Sequence, residues 1–195
     1  MGKMARILDG GRDDGISTVR AREIAEATLR EHGWDVDVLR LAEIDIAPCI
    51  GCFGCWIKTP GECVIDDAGR DVARRIVQSD LVVYLTPVLF GGYAPDLKKA
   101  LDRSISIILP FFKRVRRAGG EIHHVKRYAR YPRLVGIGII PDRNDEEGEI
   151  FETLIRRNAI NMHAPAVEST VFSATDSDET VVRRIEWALS EVIGR

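Results

Sequence analysis

Cysteine is missing from all but one short stretch of this 195-residue chain: its four cysteines all fall at positions 49–63. A fold stapled by disulfides between distant segments is therefore excluded. Long apolar runs are missing too. Nothing approaches the roughly 20 consecutive apolar residues of a membrane-spanning helix, and the opening MGKMARILDGG holds no apolar core of a signal peptide. Arg6 stands where a myristoylation signal needs Ser or Thr. The expected address is cytoplasmic, where thiols stay reduced and grouped cysteines mean metal or redox chemistry more often than structural bridges. An excess of one charge is also lacking. With 28 Lys and Arg against 30 Asp and Glu, the net charge of −2 argues against a nucleic-acid binder and against an acidic electron carrier that docks on basic partners. No Walker sequence, GxGxxG fingerprint or Ser–His–Asp arrangement can be read from the chain.

What is present is the ordinary balance of a globular protein, 45% apolar and 30% charged residues. The length suits one domain spanning residues 1–195. Strand-like runs alternate with helical periodicity. After a short strand at residues 5–8, Ala21, Ile24, Ala25, Thr28 and Leu29 form one face of a helix, with Ser17 as its N-cap and Gly33 just beyond its end. WDVDVLRL alternates as a second strand. Val72, Ala73, Ile76 and Val77 mark a helix capped by Asp66 and Asp67. DLVVYL is apolar enough for a central parallel strand, which Thr86 and Pro87 are expected to stop. Residues 95–117 read as a long helix broken or kinked at Pro110, and residues 118–132 as a polar loop of unusual length. LVGIGII, a helix through Ile150, Phe151, Leu154, Ile155 and Met162, a strand at 167–172 and a closing helix capped by Ser177 complete the order. This alternation predicts an α/β fold with a parallel sheet, helices on both faces and a ligand crevice at the carboxyl ends of the strands. Residues 9–18, 47–67, 86–93 and 141–148 lie there.

Three of these segments carry chemistry. DGGRDDGIST is a glycine-rich turn before a helix, where free N–H groups suit phosphate and Arg12, Ser17 and Thr18 add donors. An ordinary tight turn is the alternative, and the carboxylates of Asp13 and Asp14 oppose phosphate. In TPVLFGGYAP, Phe90 and Tyr93 are placed to flank a planar ring, and Gly91 and Gly92 let backbone approach closely. Packing of those aromatics on the core is the alternative. The third segment spaces Cys49, Cys52, Cys55 and Cys63 as C-x2-C-x2-C-x7-C. Four thiolates serve iron–sulfur clusters and zinc alike. Two consecutive short spacings keep three sulfurs on one loop, which favours iron–sulfur over separated zinc knuckles. Small reduced cysteines that merely fill a loop stay open. The adjacent His123 and His124 diverge in a strand or helix and make a poor ligand pair.

CIGCFGCWIKTPGECVIDD followed by SDLVVYLTPVLFGGYAPDLKKALDR resembles the flavodoxin-like superfamily of NADPH-dependent FMN reductases, in particular its iron–sulfur flavoprotein branch. The pieces are the cysteine motif, Asp66-Asp67, Ser79-Asp80, Thr86-Pro87-Val88, Phe90-Gly91, Leu97-Lys98 and Leu101-Asp102-Arg103, spread over residues 48–103. Departures are Gly11 and Ile16 in the first loop and the glycine-poor PDRNDEEG of the third. The resemblance implies a three-layer flavodoxin-like fold, a five-stranded parallel sheet of order 2-1-3-4-5. Arg12, Gly15, Ser17 and Thr18 would hold the FMN phosphate. Thr86, Pro87, Val88, Leu89, Phe90 and Gly91 would line the isoalloxazine, with residues 140–148 as the third flavin loop. Cys49, Cys52, Cys55 and Cys63 would hold a 4Fe-4S cluster where one is bound. The implied activity moves electrons from NAD(P)H through FMN to a quinone, another small molecule or a redox protein, and needs no catalytic acid or base. It also implies a homodimer or homotetramer, with Phe53, Trp56, Phe111 and Phe112 as candidate contacts, and no nucleic-acid or membrane partner. A cluster-free FMN or quinone reductase, a non-enzymatic electron carrier and a flavin-free binding module on the same fold are the other readings.

Overall fold

In a computed structural model, which describes residues 2–12, 16–115 and 120–194, the alternating runs become β1 (Lys3–Asp9), α1 (Ile16–Glu31), β2 (Trp34–Arg40), α2 (Gly54–Ile57), α3 (Ala68–Val77), β3 (Leu81–Leu89), β4 (Gly92–Tyr93), α4 (Pro95–Arg103), β5 (Ile108–Val115), β6 (Glu121–Lys126), β7 (Arg133–Ile140), α5 (Asp145–Asn161), β8 (Val167–Ser173) and α6 (Asp178–Ile193). The central sheet runs β2-β1-β3-β7-β8, all parallel, which is the expected order 2-1-3-4-5 when its strands are counted along the chain. β4 folds back antiparallel on the end of β3.

The sheet is covered on both faces, so β3 and β7 are apolar along nearly their whole length. One face packs Ile7, Leu81 and Val83 against Ala21, Ala25 and Leu29 of α1 and Ile185 and Leu189 of α6. The other packs Leu8, Val82, Tyr84 and Val88 against α3, α4 and α5 through Val72, Ile76, Leu97, Phe151 and Ile155. Each such side chain contributes roughly 1.5–3 kcal/mol by leaving water. The two glycines of β7 let α5 lie close: a Cβ at position 136 would stand 2.5 Å from Ile155 Cδ1 and Cγ1, and one at 138 would stand 2.9 Å from Phe151 Cε1.

Four local expectations are corrected. α1 begins at Ile16, so Ser17 sits inside its first turn and is not the N-cap. Thr86 and Pro87 do not stop β3. The ladder to β1 ends at Leu85 while that to β7 continues through Pro87, so proline stands where the strand has one neighbour and its missing N–H is tolerated. The helix after Pro95 ends at Arg103 and not near residue 117. Ser104 Oγ donates to Ala100 O at 2.8 Å, a single 3-10 turn follows, and the β-branched run Ile105, Ile107, Ile108 leads into β5. Pro110 lies where the β5–β6 register shifts, the kind of irregularity that accepts proline in a sheet. The segment read as a long loop therefore contains β6, the second strand of a hairpin. No helix among the described residues is long and apolar enough to cross a membrane.

The close approach of α5 to β7 makes a test of this packing. Gly136→Ala should lower stability by about 1–3 kcal/mol through overpacking, and Ile155→Val in the same chain should return part of it, both read as urea midpoints.

Candidate functional site

After β2 the chain tucks Leu41 into the core and then runs without regular structure, apart from α2, until α3. This is the cysteine segment. Gly51 and Phe53 take left-handed backbone (φ 65 and 55), which turns the chain tightly before α2. For Phe53 that conformation costs of order 1–3 kcal/mol, so surrounding contacts must hold it. Its ring stacks on Trp56 at 5.6 Å, and Trp56 Nε1 donates to Ile108 O at 2.9 Å.

Two arginines fasten the segment. Arg103, at the end of α4, is 1% exposed. Its Nη1 donates to Asp67 Oδ2 and Ala47 O, each at 2.7 Å, and its Nη2 donates to Asp67 Oδ1 at 2.7 Å and Ile65 O at 3.1 Å. Arg70 of α3 donates from Nε to Cys63 O at 2.8 Å and from Nη2 to Val64 O at 3.3 Å. Asp67 also accepts from Ala47 N and, as N-cap of α3, from Gly69 N, both at 2.9 Å. Both ends of the segment are thus tied to one buried ion pair. The Arg103 hydrogen bonds hold the Asp67 carboxyl below its ordinary value of 3.8, more than offsetting its burial. Burial opposes the charge of Arg103, but Asp67 and Cys63 outweigh it and the guanidinium is held above its usual range.

Above this pair lies a cavity of about 710 Å³ whose lining includes Cys49, Cys52, Cys55 and Cys63. Its lining also includes Tyr84 of β3, Tyr93 of β4, Leu101 of α4, Leu154 and Asn158 of α5, and Met162 just after α5. None of the four cysteines is in a disulfide; Cys55 is buried, Cys63 half-buried, Cys49 and Cys52 exposed. The Cys55 thiol is pushed up first by burial, then by its neighbours Cys63 and Cys49. The thiols are therefore close enough to sense one another. Among the described residues no three His, Cys, Asp or Glu side chains converge to hold a single metal ion. The four cysteines lining this cavity are the donor type that iron–sulfur clusters take.

The expected flavin residues lie at the carboxyl ends of β1 and β3. Gly15 falls outside the described residues. Gly10 packs tightly, a Cβ there standing 2.8 Å from Leu97 Cβ, and Gly11 lies directly on Thr18. Gly11 N donates to the buried Asp9 Oδ1, and Arg22 Nη1 holds Asp9 Oδ2 at 2.7 Å. Thr18 is buried and Ser17 partly exposed in the first turn of α1. Arg12 points outward, 3.5 Å from Asp96. Thr86 is buried: its Oγ1 accepts from Ala94 N and donates to Pro87 O, so it shapes the turn. Val88 belongs to the core. Pro87 is partly exposed, Leu89 exposed, and Phe90, at φ 52, is 94% exposed at the tip between β3 and β4, with Gly91 (φ 77) behind it. The close-packed turn at Gly10 and Gly11, the exposed Arg12 beside Asp96, and the exposed aromatic tip at Phe90 are features that suit a phosphate and a planar ring. In the third loop, Asn144 caps α5 by accepting from Glu147 N at 3.2 Å. Of the expected ring-lining residues 86–91, none lines the large cavity; Gly92 and Tyr93, next along the chain, do. Arg103, Tyr84 and Asn158 were not anticipated as site residues. The one sequence signal for Arg103 is its place in Leu101-Asp102-Arg103 of the family pattern.

A doubly wound sheet in this order, with glycine-rich and aromatic turns at its strand ends, is the flavodoxin-like class of protein. Within that class the chain belongs to the NADPH-dependent FMN reductase family, whose model matches residues 6–117. It is 32% identical over 120 residues to an iron-sulfur flavoprotein of Methanocaldococcus jannaschii, covering 62% of this chain and 60% of that one. It is 30% identical over 76 residues to the iron-sulfur flavoprotein of Methanosarcina thermophila, covering 39% of each. The matches thus span less than two thirds of these relatives' lengths, 60% and 39%. Similar folds include an NAD(P)H:quinone oxidoreductase from Methanothermobacter marburgensis (TM-score 0.69, 13% identity, 96% of each chain). Another is an FMN-dependent NADH-azoreductase from Bacillus anthracis in complex with FMN (TM-score 0.65, 13% identity, 97% of this chain and 98% of that one).

Because the folded Asp67 carboxyl lies below its ordinary 3.8, its ionised form stabilises the fold above that value, and the contribution is lost as pH falls below it. Asp67→Asn should therefore cost about 3 kcal/mol at neutral pH, near the low end for breaking a buried pair because Asp67 keeps some contact with water. It should also flatten the acid limb of a stability-against-pH curve measured by denaturant titration.

Proposed function

We propose that the chain is an FMN-dependent NAD(P)H oxidoreductase that passes electrons to a small-molecule acceptor, with a 4Fe-4S cluster on Cys49, Cys52, Cys55 and Cys63. The observation that carries this reading is the single cavity around which the four thiols are arranged and whose wall begins at Gly92 and Tyr93, next to the exposed turn of β3 and β4. The names of the M. marburgensis quinone oxidoreductase and the B. anthracis azoreductase support a quinone or similar conjugated molecule as the acceptor. A redox protein is the other acceptor the iron–sulfur branch suggests.

Bound FMN would supply a centre that takes the two electrons of a hydride together and releases them singly or in pairs. This chain's residues bind and orient it. In this reading Arg12 and Ser17 would hold the phosphate, with Gly15 assigned there by the resemblance alone and Thr18 packing beneath Gly11 to shape the turn. For that role Arg12 exchanges Asp96 for phosphate, while Asp96 keeps Lys99 Nζ at 2.9 Å. Thr86 and Val88 fix the turn from beneath, leaving Pro87, Leu89 and Phe90 to meet the ring, with Gly91 packed on Ile150 behind them. Asn158 Nδ2 donates to Tyr93 Oη at 2.6 Å, which ties that turn to α5. Water is excluded by a second copy of the chain, to which we assign the exposed apolar surface of Phe53, Ile57, Phe111, Phe112 and Ile122. Phe111 and Phe112 are neighbours on β5, so their side chains leave opposite faces of the hairpin, and both remain exposed. A two-stranded hairpin with apolar residues on both faces needs a cover to be stable.

Protein purified without oxygen should show two visible flavin bands, a broad brown absorption and iron near cluster stoichiometry. Cys52→Ser should lose the iron and keep the flavin bands. A colourless protein that also ignores added FMN would sink the reading. Separately, sedimentation should give a dimer or tetramer for the native chain and a monomer for Phe112→Asp; a monomeric native chain would remove the assigned contact.

A further inference from the structure

We propose that the large cavity binds the electron acceptor, a neutral, flat molecule with a conjugated carbonyl oxygen, and that Tyr93, positioned by Asn158, donates a hydrogen bond to that oxygen. This rests on the small-molecule acceptor of the reading above and adds the place and the residues that recognise it. The cavity, at about 710 Å³, lies within the roughly 300–1,000 Å³ of small-molecule sites. Its walls are mostly apolar, with Trp56, Tyr84, Leu101, Ile105, Ile108 and Leu154 among them. Cys49, Ile50 and Cys52 also line it and are exposed, so it meets solvent on the side of the cysteine segment. A single-ring guest fills a fraction of this volume and needs no room at the sulfurs.

The charges on the wall argue for a neutral guest. Lys98 Nζ is held by both oxygens of Asp102 at 2.6 Å, and the Arg103 charge is paired with Asp67. The other polar groups are few. Ser104 Oγ donates to Ala100 O, and Asn161 Oδ1 accepts from His124 N at 3.4 Å. On the wall built by β4 and α5, Asn158 Nδ2 donates to Tyr93 Oη at 2.6 Å. That pair holds three N–H and O–H donors and spends one. The Tyr93 proton has no acceptor among the described residues. Turned over, the amide would accept from Oη and keep both N–H groups to spare, so the pair has a donor to offer in either orientation. Burial pushes the Tyr93 phenol above its usual range, so it keeps its proton and serves as a donor. Apolar walls with a donor of this kind select a molecule with an acceptor oxygen. The rings of Phe53, Trp56, Tyr84 and Tyr93 favour a flat one. A flat electron acceptor with such an oxygen is a quinone or another conjugated carbonyl compound, and a donor at that oxygen stabilises the charge that grows there. Reducing a quinone to its hydroquinone takes two electrons and two protons. NAD(P)H supplies both electrons and one proton as hydride, and water supplies the other proton.

The test uses the FMN-loaded full chain and two ligands of like shape: duroquinone, and the hydrocarbon durene, which lacks the carbonyl oxygens. Of the three tryptophans, Trp56 lines the cavity, whereas Trp34 lies in the core beside α1 and Trp187 on α6. Duroquinone should therefore quench tryptophan fluorescence saturably, with the quenching lost in Trp56→Phe. Calorimetry should show it binding more tightly than durene. Tyr93→Phe should weaken duroquinone about tenfold, the worth of one hydrogen bond, and leave durene unchanged. A purely structural role for Tyr93 would weaken both. If Tyr93→Phe does not fold or loses its FMN, Asn158→Leu makes the same comparison, and the same selective loss is expected. Leu154→Trp, which fills the cavity, should remove binding of both ligands. Unchanged duroquinone binding in Tyr93→Phe, equal loss of the two ligands, or duroquinone binding that survives Leu154→Trp overturns the assignment. Native protein that oxidises NADPH with duroquinone but shows no quenching at Trp56 overturns this site and leaves the oxidoreductase reading standing. Native protein that binds duroquinone selectively through Tyr93 but oxidises no NADPH overturns that reading and leaves the cavity as a carbonyl-binding site.

Discussion

The buried pair of Arg103 and Asp67 is the constraint on which the cysteine segment depends. Burying a cation costs several kcal/mol and is tolerated only when its partners are numerous and well placed. Here they are two carboxylate oxygens and two backbone carbonyls, from positions on both sides of the cysteines. Asp67 at the same time caps α3 and accepts from Ala47 N. One pair therefore joins α3, α4 and both ends of a segment that has almost no hydrogen-bonded secondary structure of its own. A Cβ on Gly69 would stand 3.2 Å from Arg103 Cζ, so the second residue after the cap Asp67 is small because the guanidinium passes over it. Strain at Phe53 and exposure of Cys49 and Cys52 are sustainable because the ends cannot drift.

The two faces of the sheet divide the work. Toward α1 and α6 the core is closed, filled by alanines and branched side chains that let helices lie close. Toward α3, α4 and α5 it is closed near Phe151 and Ile155 by the glycines of β7, yet it opens beside Tyr84 into the cavity. Tyr93 stands at the boundary, edge-on to Tyr84 at 6.1 Å and to Phe151 at 6.0 Å. Aromatic edges of this kind add packing energy without filling the space beyond them.

Much of this was legible in the sequence wherever one face of an element decides its structure. The 3.6-residue spacing of Ala21, Ala25 and Leu29, the unbroken apolar runs of β3 and β7, and the caps Asp67 and Ser177 all hold. The hairpin was not legible, because residues 95–117 read as one helix, whereas Ser104, the 3-10 turn and the β-branched run up to Ile108 end it and the register shift near Pro110 accommodates the proline. Burial of polar groups was equally hidden. Thr18 reads as a donor for phosphate and Thr86 as lining for a ring, whereas Thr86 spends its hydroxyl on Ala94 and Pro87 and Thr18 is buried beneath Gly11. An arginine in the last turn of a helix reads as a solvated partner of the helix dipole; tertiary structure turned this one inward.

The link between the two halves of the site is a backbone one. Val88 and Leu89 of β3 pair with Tyr93 and Gly92 of β4, so the turn offered to a flavin ring and the wall of the cysteine-lined cavity are the two strands of one short hairpin. Thr86 locks that hairpin from below and Asn158 locks it from α5. Phe90 at its tip takes a left-handed conformation that a flexible turn would relax. A rigid connector of this kind fixes the separation of what binds on either side, and electron transfer depends on a held separation more than on any acid or base. The cysteine segment and the turn beside it are thus each held in place, one by the Arg103–Asp67 pair and the other by Thr86 and Asn158.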